Sequence, residues 1–178
     1  LHCRNDPDQL LIGNTPCPET NFTHNSRWMR CTSYTRDEER SQLAIWSIIA
    51  APLLMSVDIE KMPAASKADL LNPEVLAVNS DRLGRQGQRV LSDGGRQVWL
   101  RQLQNGDAAL ALHNSGDMAQ RVGTTISALG LSAAGRWVPR NVFDRTSLAP
   151  VPASGELHFT VPPHGVVMLR LTPEDYEE

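Results

Sequence analysis

Apolar side chains recur at helical spacing near the start of the chain. Leu43, Trp46 and Ile49 lie three residues apart, which would place them on one face of an α-helix. Thr35 precedes this segment and Glu38 follows Thr35 after three residues, the spacing of a capping box at a helix start. We therefore expect an amphipathic helix that begins just after Thr35, with Trp46 on its buried face.

Two short apolar runs flank this predicted helix. The runs at residues 10–13 and 53–57 have the length of strands, and the continuous apolar character of the second is typical of a strand buried on both faces in a parallel sheet covered by helices. Pro63 favours the start of a second helix, which would continue to Leu71. The order strand, helix, strand, helix predicts an α/β arrangement for the first half of the chain.

The pattern changes near residue 88, where apolar and other residues begin to alternate. Turn-forming residues interrupt the alternation at Gly94-Gly95, Asn105-Gly106 and Ser115-Gly116-Asp117. Asn-Gly between two such runs is a strong hairpin signal. We therefore predict an α/β plus all-β fold class, with one domain at residues 1–86 and an antiparallel β-sandwich at residues 87–178.

A sheet of two parallel strands would be incomplete by itself. Its open edges and uncovered face need further strands and helices, and the pattern of residues 1–86 offers no other strand and helix unit. We therefore expect the missing strands to lie upstream of Leu1, so that the chain would be the carboxyl part of a larger protein.

Composition and charge disfavour several classes of function. A formal net charge of −3 without a long basic run argues against nucleic-acid binding. The longest apolar stretch, residues 43–57, is too short for a membrane span and contains Pro52. The five histidines have no metal-ligand spacing and no glycine-rich phosphate loop is present, so we expect neither a metal nor another cofactor.

The cysteines and a glycosylation sequon bear on the cellular setting. Cys17 and Cys31 flank a polar stretch that contains Asn21-Phe22-Thr23, an acceptor sequence for N-glycosylation. A Cys17–Cys31 disulfide would order this stretch and, with a glycan on Asn21, would favour a secreted or lysosomal protein. Cys3 would stay buried or pair with an upstream cysteine. The alternative is that all three cysteines are free thiols in a reducing compartment.

Candidate chemistry begins at Asn5-Asp6-Pro7-Asp8. Two carboxylates two residues apart suit acid/base chemistry on sugars, but Asp6 can equally accept hydrogen bonds from nearby backbone amides in a structural turn. Asp58, which follows the second apolar run, has the same two interpretations, a cleft residue or a loop cap. Spacing alone leaves both open.

Four separated motifs resemble a known enzyme family. They are NDPDQLLIGN, AIWSIIAAPLLMSVDI, LLNPEVLAVNSDRLGRQGQRV and VPPHGVVMLRL. In this order they are similar to the carboxyl half of the α-galactosidase and α-N-acetylgalactosaminidase family of retaining glycoside hydrolases, family 27. The resemblance implies the last strands and helices of a (β/α)8 barrel followed by an antiparallel β-sandwich.

The resemblance also implies roles for individual residues. Asp8 would line the galactose pocket together with Gln9, at which position the family commonly has methionine. Both catalytic aspartates are expected upstream of the NDPD motif, so no residue of this chain is assigned a catalytic role.

The implied function is that of an exo-glycosidase that releases terminal α-linked galactose or N-acetylgalactosamine. Its expected partners are the upstream half of the barrel and the α-galactoside substrate, and the resemblance allows a homodimer. The alternative is a non-catalytic carbohydrate-binding or scaffolding protein with a decayed barrel.

Overall fold

The computed structural model describes residues 6–13, 34–131 and 135–174. Cys3, Cys17, Cys31 and Asn21 lie outside the described residues, so the disulfide and the glycan stay predictions. Within the described ranges there are three α-helices and nine strands. None of these helices has the length and apolar character that a membrane crossing requires.

Helix α1 (Arg36–Ile48) begins where the capping box predicted. The Glu38 amide donates a hydrogen bond to the Thr35 hydroxyl, and the Thr35 amide donates one to the Glu38 carboxylate at 2.7 Å. The two bonds satisfy amides that have no partner inside the helix. The predicted helix start is confirmed.

Helix α1 ends earlier than the apolar spacing indicates, so that Ile49 lies just outside it. Ala50 has a left-handed φ of 55°, and the Ala51 amide donates a hydrogen bond to the Trp46 carbonyl at 2.9 Å. These are features of a Schellman motif, which closes the helix before Pro52 is reached.

Two short helices follow, α2 (Ala64–Leu70) and α3 (Pro73–Asn79). The first agrees with the helix predicted from Pro63. The sequence pattern predicts only a break at Asn72-Pro73, whereas the structure starts α3 there. The Asn72 side chain accepts a hydrogen bond from the Glu74 amide at 3.0 Å, and Pro73 occupies the first turn, where its missing N–H costs nothing.

The two predicted parallel strands are reduced to a single parallel bridge between Leu10 and Met55. The Leu10 amide donates to the Leu54 carbonyl at 2.7 Å, and the Ser56 amide donates to the Leu10 carbonyl at 3.0 Å. The parallel direction is as predicted, whereas the described residues do not bury the second run on both faces. Leu54 and Met55 are 53% and 47% exposed, because within the described residues only the segment of Leu10 pairs with them.

The second half of the chain forms the predicted antiparallel β-sandwich. Its strands are β1 (Gln88–Asp93), β2 (Arg96–Gln102), β3 (Ala108–Asn114), β4 (Gln120–Thr125), β5 (Arg136–Asn141), β6 (Thr146–Ser147), β7 (Val151–Pro152), β8 (Glu156–Val161) and β9 (Val166–Glu174). In the described part, one sheet has seven strands, in the order β1-β2-β3-β9-β5-β6 with β7 also paired to β5, and β4 pairs with β8 in the other.

Two hairpin turns lie at predicted positions. Gly94 and Gly95 join β1 to β2 with φ values of 51° and 87°, and Asn105 and Gly106 lie between β2 and β3 with φ values of 64° and 81°. Glycine and asparagine tolerate positive φ better than other residues, which is why these dipeptides favour tight turns.

Strand β3 separates two layers of the core. Ala109 and Ala111 pack with the helices, Leu110 and Leu112 pack between the two sheets, and all four are fully buried. Because successive side chains of a strand point to opposite faces, the alternation of alanine and leucine makes one face flat and the other bulky. The flat face lets α1 lie close to the sheet, so the helical layer and the sandwich share a packed surface.

Candidate functional site

Asp6 forms the structural turn that was one of its two interpretations. The Asp8 amide donates a hydrogen bond to Asp6 Oδ1 at 3.0 Å, which is the geometry of an Asx turn. The carboxylate of Asp6 thus has a structural partner, whereas the carboxylate of Asp8 takes no part in this turn.

Asp8 has a backbone conformation that is uncommon outside glycine. Its φ is 72°, in the left-handed region, which costs a non-glycine residue about 1 kcal/mol or more. Asp8 and Gln9 are both exposed, and no hydrogen bond or ion pair engages the Asp8 carboxylate among the described residues. Strained residues concentrate at functional sites, so Asp8 is the strongest candidate in the described part for contact with a substrate.

One face of helix α1 holds the chain around Asp8. Glu39, Gln42 and Trp46 share this face because they are spaced by three and four residues, and we call them the α1 stripe. Trp46 Nε1 donates a hydrogen bond to the Asp8 carbonyl at 3.2 Å. Gln42 Oε1 accepts one from the Leu11 amide at 3.0 Å.

Glu39 completes the stripe at its other end. Its Oε1 accepts a hydrogen bond from the Gly13 amide at 2.6 Å, and its Oε2 accepts one from the Ser66 hydroxyl at 2.7 Å. Glu39 is buried, and these bonds replace the water that a buried carboxylate loses. The stripe therefore connects the segment at residues 8–13 to both α1 and α2.

Asp58 serves as a loop cap, which was one of its two interpretations. Its Oδ2 lies 2.9 Å from Lys61 Nζ, and its Oδ1 accepts a hydrogen bond from the Glu60 amide at 3.2 Å. The hydrogen bond from Lys61 lowers the pKa of the Asp58 carboxyl group below its ordinary value. Both oxygens of this carboxylate thus have partners within its own turn.

Apolar side chains are exposed beside the parallel bridge. Leu54, Met55 and Ile59 all expose a large part of their side chains. Met55 pairs with Leu10 in the bridge, Leu54 precedes it, and Ile59 lies in the turn that follows. Exposed apolar side chains at a strand without further neighbours are candidates for contact with another part of a protein.

Two open clefts on the sandwich have fewer carboxylates than a site for acid/base chemistry would need. One of about 300 Å³ lies beside Arg85 and Gln102, and one of about 140 Å³ lies beside Asp93, Arg121 and His158. Among the described residues that line them, the first has no carboxylate and the second has a single one, Asp93. In the described ranges, no group of His, Cys, Asp and Glu is arranged to hold a metal ion.

Comparisons with known proteins agree with this architecture. The family described as "Alpha galactosidase A" matches residues 2–81, and the family described as "Alpha galactosidase C-terminal beta sandwich domain" matches residues 93–171. The chain belongs to the α-galactosidase family. The resemblance drawn from the four motifs is therefore confirmed.

Curated members of the α-galactosidase family match nearly the whole chain. The chain is 34% identical to an α-galactosidase of Oryza sativa subsp. japonica, over 95% of its own length and 36% of that protein. It is 31% identical to an α-N-acetylgalactosaminidase of Gallus gallus, over 96% of the chain and 38% of that protein. The chain thus spans less than two fifths of the length of these two relatives.

Solved structures of this family have the same fold. The crystal structure of α-galactosidase I from Mortierella vinacea aligns with a TM-score of 0.80 and 23% identity, covering 98% of this chain and 41% of that one. A GH27 β-L-arabinopyranosidase from Geobacillus stearothermophilus aligns with a TM-score of 0.81 and 22% identity, covering 97% and 38%. The fold is the last part of a (β/α)8 barrel followed by an antiparallel β-sandwich, as predicted.

The sequence pattern did not predict the contacts of the α1 stripe. The apolar spacing predicts a core position for Trp46, but its side chain is only half-buried and its indole N–H reaches the Asp8 carbonyl. The spacing of Glu39, Gln42 and Trp46 on one helix face was the available signal. Asp8 and Gln9 lie together on the exposed turn, and their contact with a sugar stays a prediction.

Proposed function

We propose that this chain is the carboxyl part of a retaining exo-glycosidase that releases terminal α-linked galactose or N-acetylgalactosamine from glycans or glycolipids. The observation that carries the proposal is the exposed, strained Asp8 on a partial barrel of the α-galactosidase family. The named functions of the relatives, α-galactosidase and α-N-acetylgalactosaminidase, support this substrate class.

Asp8 and Gln9 are proposed as the substrate-binding residues of this chain. A carboxylate that has no partner in the described part of the chain can accept hydrogen bonds from sugar hydroxyl groups, and charge-assisted bonds of this kind are stronger than neutral ones. The side-chain amide of Gln9 offers both a donor and an acceptor beside it. The catalytic pair is proposed to lie on strands upstream of the chain.

The upstream part of the barrel is proposed as the occupant of the exposed apolar edge. Leu54, Met55 and Ile59 would be covered if further parallel strands and helices continued the sheet beyond the bridge at Leu10. The proposed division of the chain, a barrel part at residues 1–86 and a sandwich at 87–178, fits the start of β1 at Gln88.

A secreted or lysosomal location is proposed from Cys17, Cys31 and Asn21. Peptide mapping without reduction should recover a linked Cys17–Cys31 peptide pair and a glycan on Asn21 from protein made in a secretory host. Three free thiols and an unmodified Asn21 would contradict the location.

The activity is tested with the full-length protein that contains this chain. We expect hydrolysis of an aryl α-galactoside or an aryl α-N-acetylgalactosaminide. Asp8→Asn should lower kcat/KM by about 10-fold or more, because a hydrogen bond to a charged group contributes roughly 1.5–3 kcal/mol. Asp6→Asn is the matched control, since asparagine keeps the Oδ1 acceptor of the Asx turn.

The dependence on the leaving group defines the role of Asp8. If Asp8 binds the sugar, Asp8→Asn should lower kcat/KM by a similar factor for substrates with good and with poor leaving groups. A much larger loss with poor leaving groups would identify Asp8 as a proton donor and would make the upstream location of both catalytic aspartates wrong. No turnover of either substrate by well-folded full-length protein would favour the non-catalytic alternative.

A further inference from the structure

The α1 stripe binds the backbone of the Asp8 segment in a fixed register. Trp46 donates to the Asp8 carbonyl at 3.2 Å, and Gln42 accepts from the Leu11 amide at 3.0 Å. Glu39 accepts from the Gly13 amide at 2.6 Å. Because the segment pairs with a neighbouring strand only through Leu10 in the described part, side chains of α1 supply much of its backbone hydrogen bonding.

The contact from Trp46 acts on the strained residue itself. The left-handed backbone of Asp8 is held at its amide by Asp6 and at its carbonyl by Trp46. Relaxation of Asp8 to an extended conformation would turn its carbonyl away from the indole N–H and would redirect the side chain. Trp46 therefore opposes the relaxation that would misplace the carboxylate.

Helix α1 is itself fixed by the sandwich. Arg101 of β2 is buried, and its Nη1 donates to the carbonyl of Ser47, the neighbour of Trp46, at 2.7 Å. The Ser41 hydroxyl donates to the His164 carbonyl at 2.6 Å. A helix anchored at both of these points is a rigid support for the stripe.

We infer that Trp46 and Gln42 are positioning residues that hold Asp8 in its substrate-facing conformation, an inference that rests on the proposed function. Neither residue is assigned a contact with the sugar. Their effect on the reaction passes through the backbone of the Asp8 segment.

Kinetics of the full-length protein test this inference. Trp46→Phe keeps an aromatic ring and removes only the indole donor. It should lower kcat/KM for the aryl α-galactoside or α-N-acetylgalactosaminide that the protein hydrolyses by about 10-fold, mostly through kcat, because a substrate bound away from the geometry that the reaction needs reacts much more slowly. Trp99→Phe is the matched control: Trp99 is also half-buried, and its Nε1 donates to Gln97 Oε1 at 3.0 Å on the sandwich. The control should keep the wild-type kinetics.

A double-mutant cycle separates positioning from general stability. In an Asp8→Asn background, Trp46→Phe should cause little further loss, because the carboxylate that it positions is already gone. If Trp46→Phe lowers kcat/KM by the same factor in the wild-type and the Asp8→Asn backgrounds, the inference is overturned. Should Trp46→Phe not fold, Gln42→Met takes its place in the same cycle, with a several-fold loss expected in the wild-type background and wild-type kinetics as the overturning result.

The failure of the inference and that of the proposed function are distinguishable. If Asp8→Asn itself leaves kcat/KM unchanged, the proposed role of Asp8 fails. If Asp8→Asn lowers kcat/KM while Trp46→Phe behaves like Trp99→Phe, only the positioning inference is overturned.

Discussion

Asp69 offers a direct test of how α1 is held to α2. Arg40 donates two hydrogen bonds to its carboxylate at 2.9 and 3.0 Å, and Arg36 donates two more at 3.1 and 3.4 Å. The Asp69 side chain is 7% exposed, against 21% for Arg40 and 54% for Arg36. The pair with Arg40 is therefore the better shielded of the two.

We expect Asp69→Asn to lower the free energy of unfolding by about 2 kcal/mol. Removing one partner of a fully buried ion pair costs roughly 3–5 kcal/mol. The partial exposure of Arg40 and the larger exposure of Arg36 reduce this cost, and the remaining Oδ1 of asparagine still accepts one hydrogen bond.

The pH dependence of this effect has a definite sign. Burial acts to raise the pKa of the Asp69 carboxyl group, but the hydrogen bonds and charges of Arg40 and Arg36 outweigh it and lower the pKa below its ordinary value. The stabilisation is therefore complete above the unfolded pKa of about 3.9 and is lost as pH falls through the lower folded pKa. Wild type and Asp69→Asn should differ by a constant amount from about pH 5 to 8 and converge in more acidic solution.

Urea unfolding of full-length protein measures this difference. Asp58→Asn is the control, since Asp58 also forms an ion pair, with Lys61 at 2.9 Å, but on an exposed turn. The control should leave the unfolding midpoint nearly unchanged. A midpoint for Asp69→Asn equal to that of the control, or a difference that persists undiminished at pH 3, would refute the reasoning.

Other parts of the structure give three more expected outcomes. Arg101→Met should destabilise the protein by roughly 2–4 kcal/mol in urea unfolding, because the Ser47, Val78 and Asn79 carbonyls lose a charged donor; a change below about 0.5 kcal/mol would contradict this. Gly123→Ala should lower the melting temperature, because the added Cβ would overlap the Leu157 carbonyl oxygen of β8. Residues 1–178 alone should self-associate in sedimentation and show no glycosidase turnover, and a monomeric, active preparation would count against the proposed barrel partner.

Local signals account for the parts of the fold that were predicted correctly. The start of α1 depends on Thr35 and Glu38, and the hairpin before β3 depends on Asn105-Gly106, so each is determined within a few residues. The exposure of Met55 could not be predicted in the same way, because it depends on which strands lie beside it. A contiguous apolar run does not carry that information.

The candidate site was predictable only in part. The motif and its resemblance identified Asp8, but aspartate is compatible with several backbone conformations, and the left-handed φ of 72° depends on contacts from other segments. Trp46 is 38 residues away in sequence. Its apolar ring matched the buried face of a helix, and only the folded structure shows where its polar edge points.

The Ala109 and Ala111 face of β3 makes the position of helix α1 depend on the sandwich. Larger side chains there would push α1 away from the sheet, and the hydrogen bond between Arg101 and Ser47 would lengthen with it. Ser47 follows Trp46 directly in the chain, so the same displacement would also move Trp46 and weaken its hydrogen bond to the Asp8 carbonyl. The predicted boundary at residues 86 and 87 divides two sequence patterns, whereas hydrogen bonds that support the candidate site join residues on both sides of it.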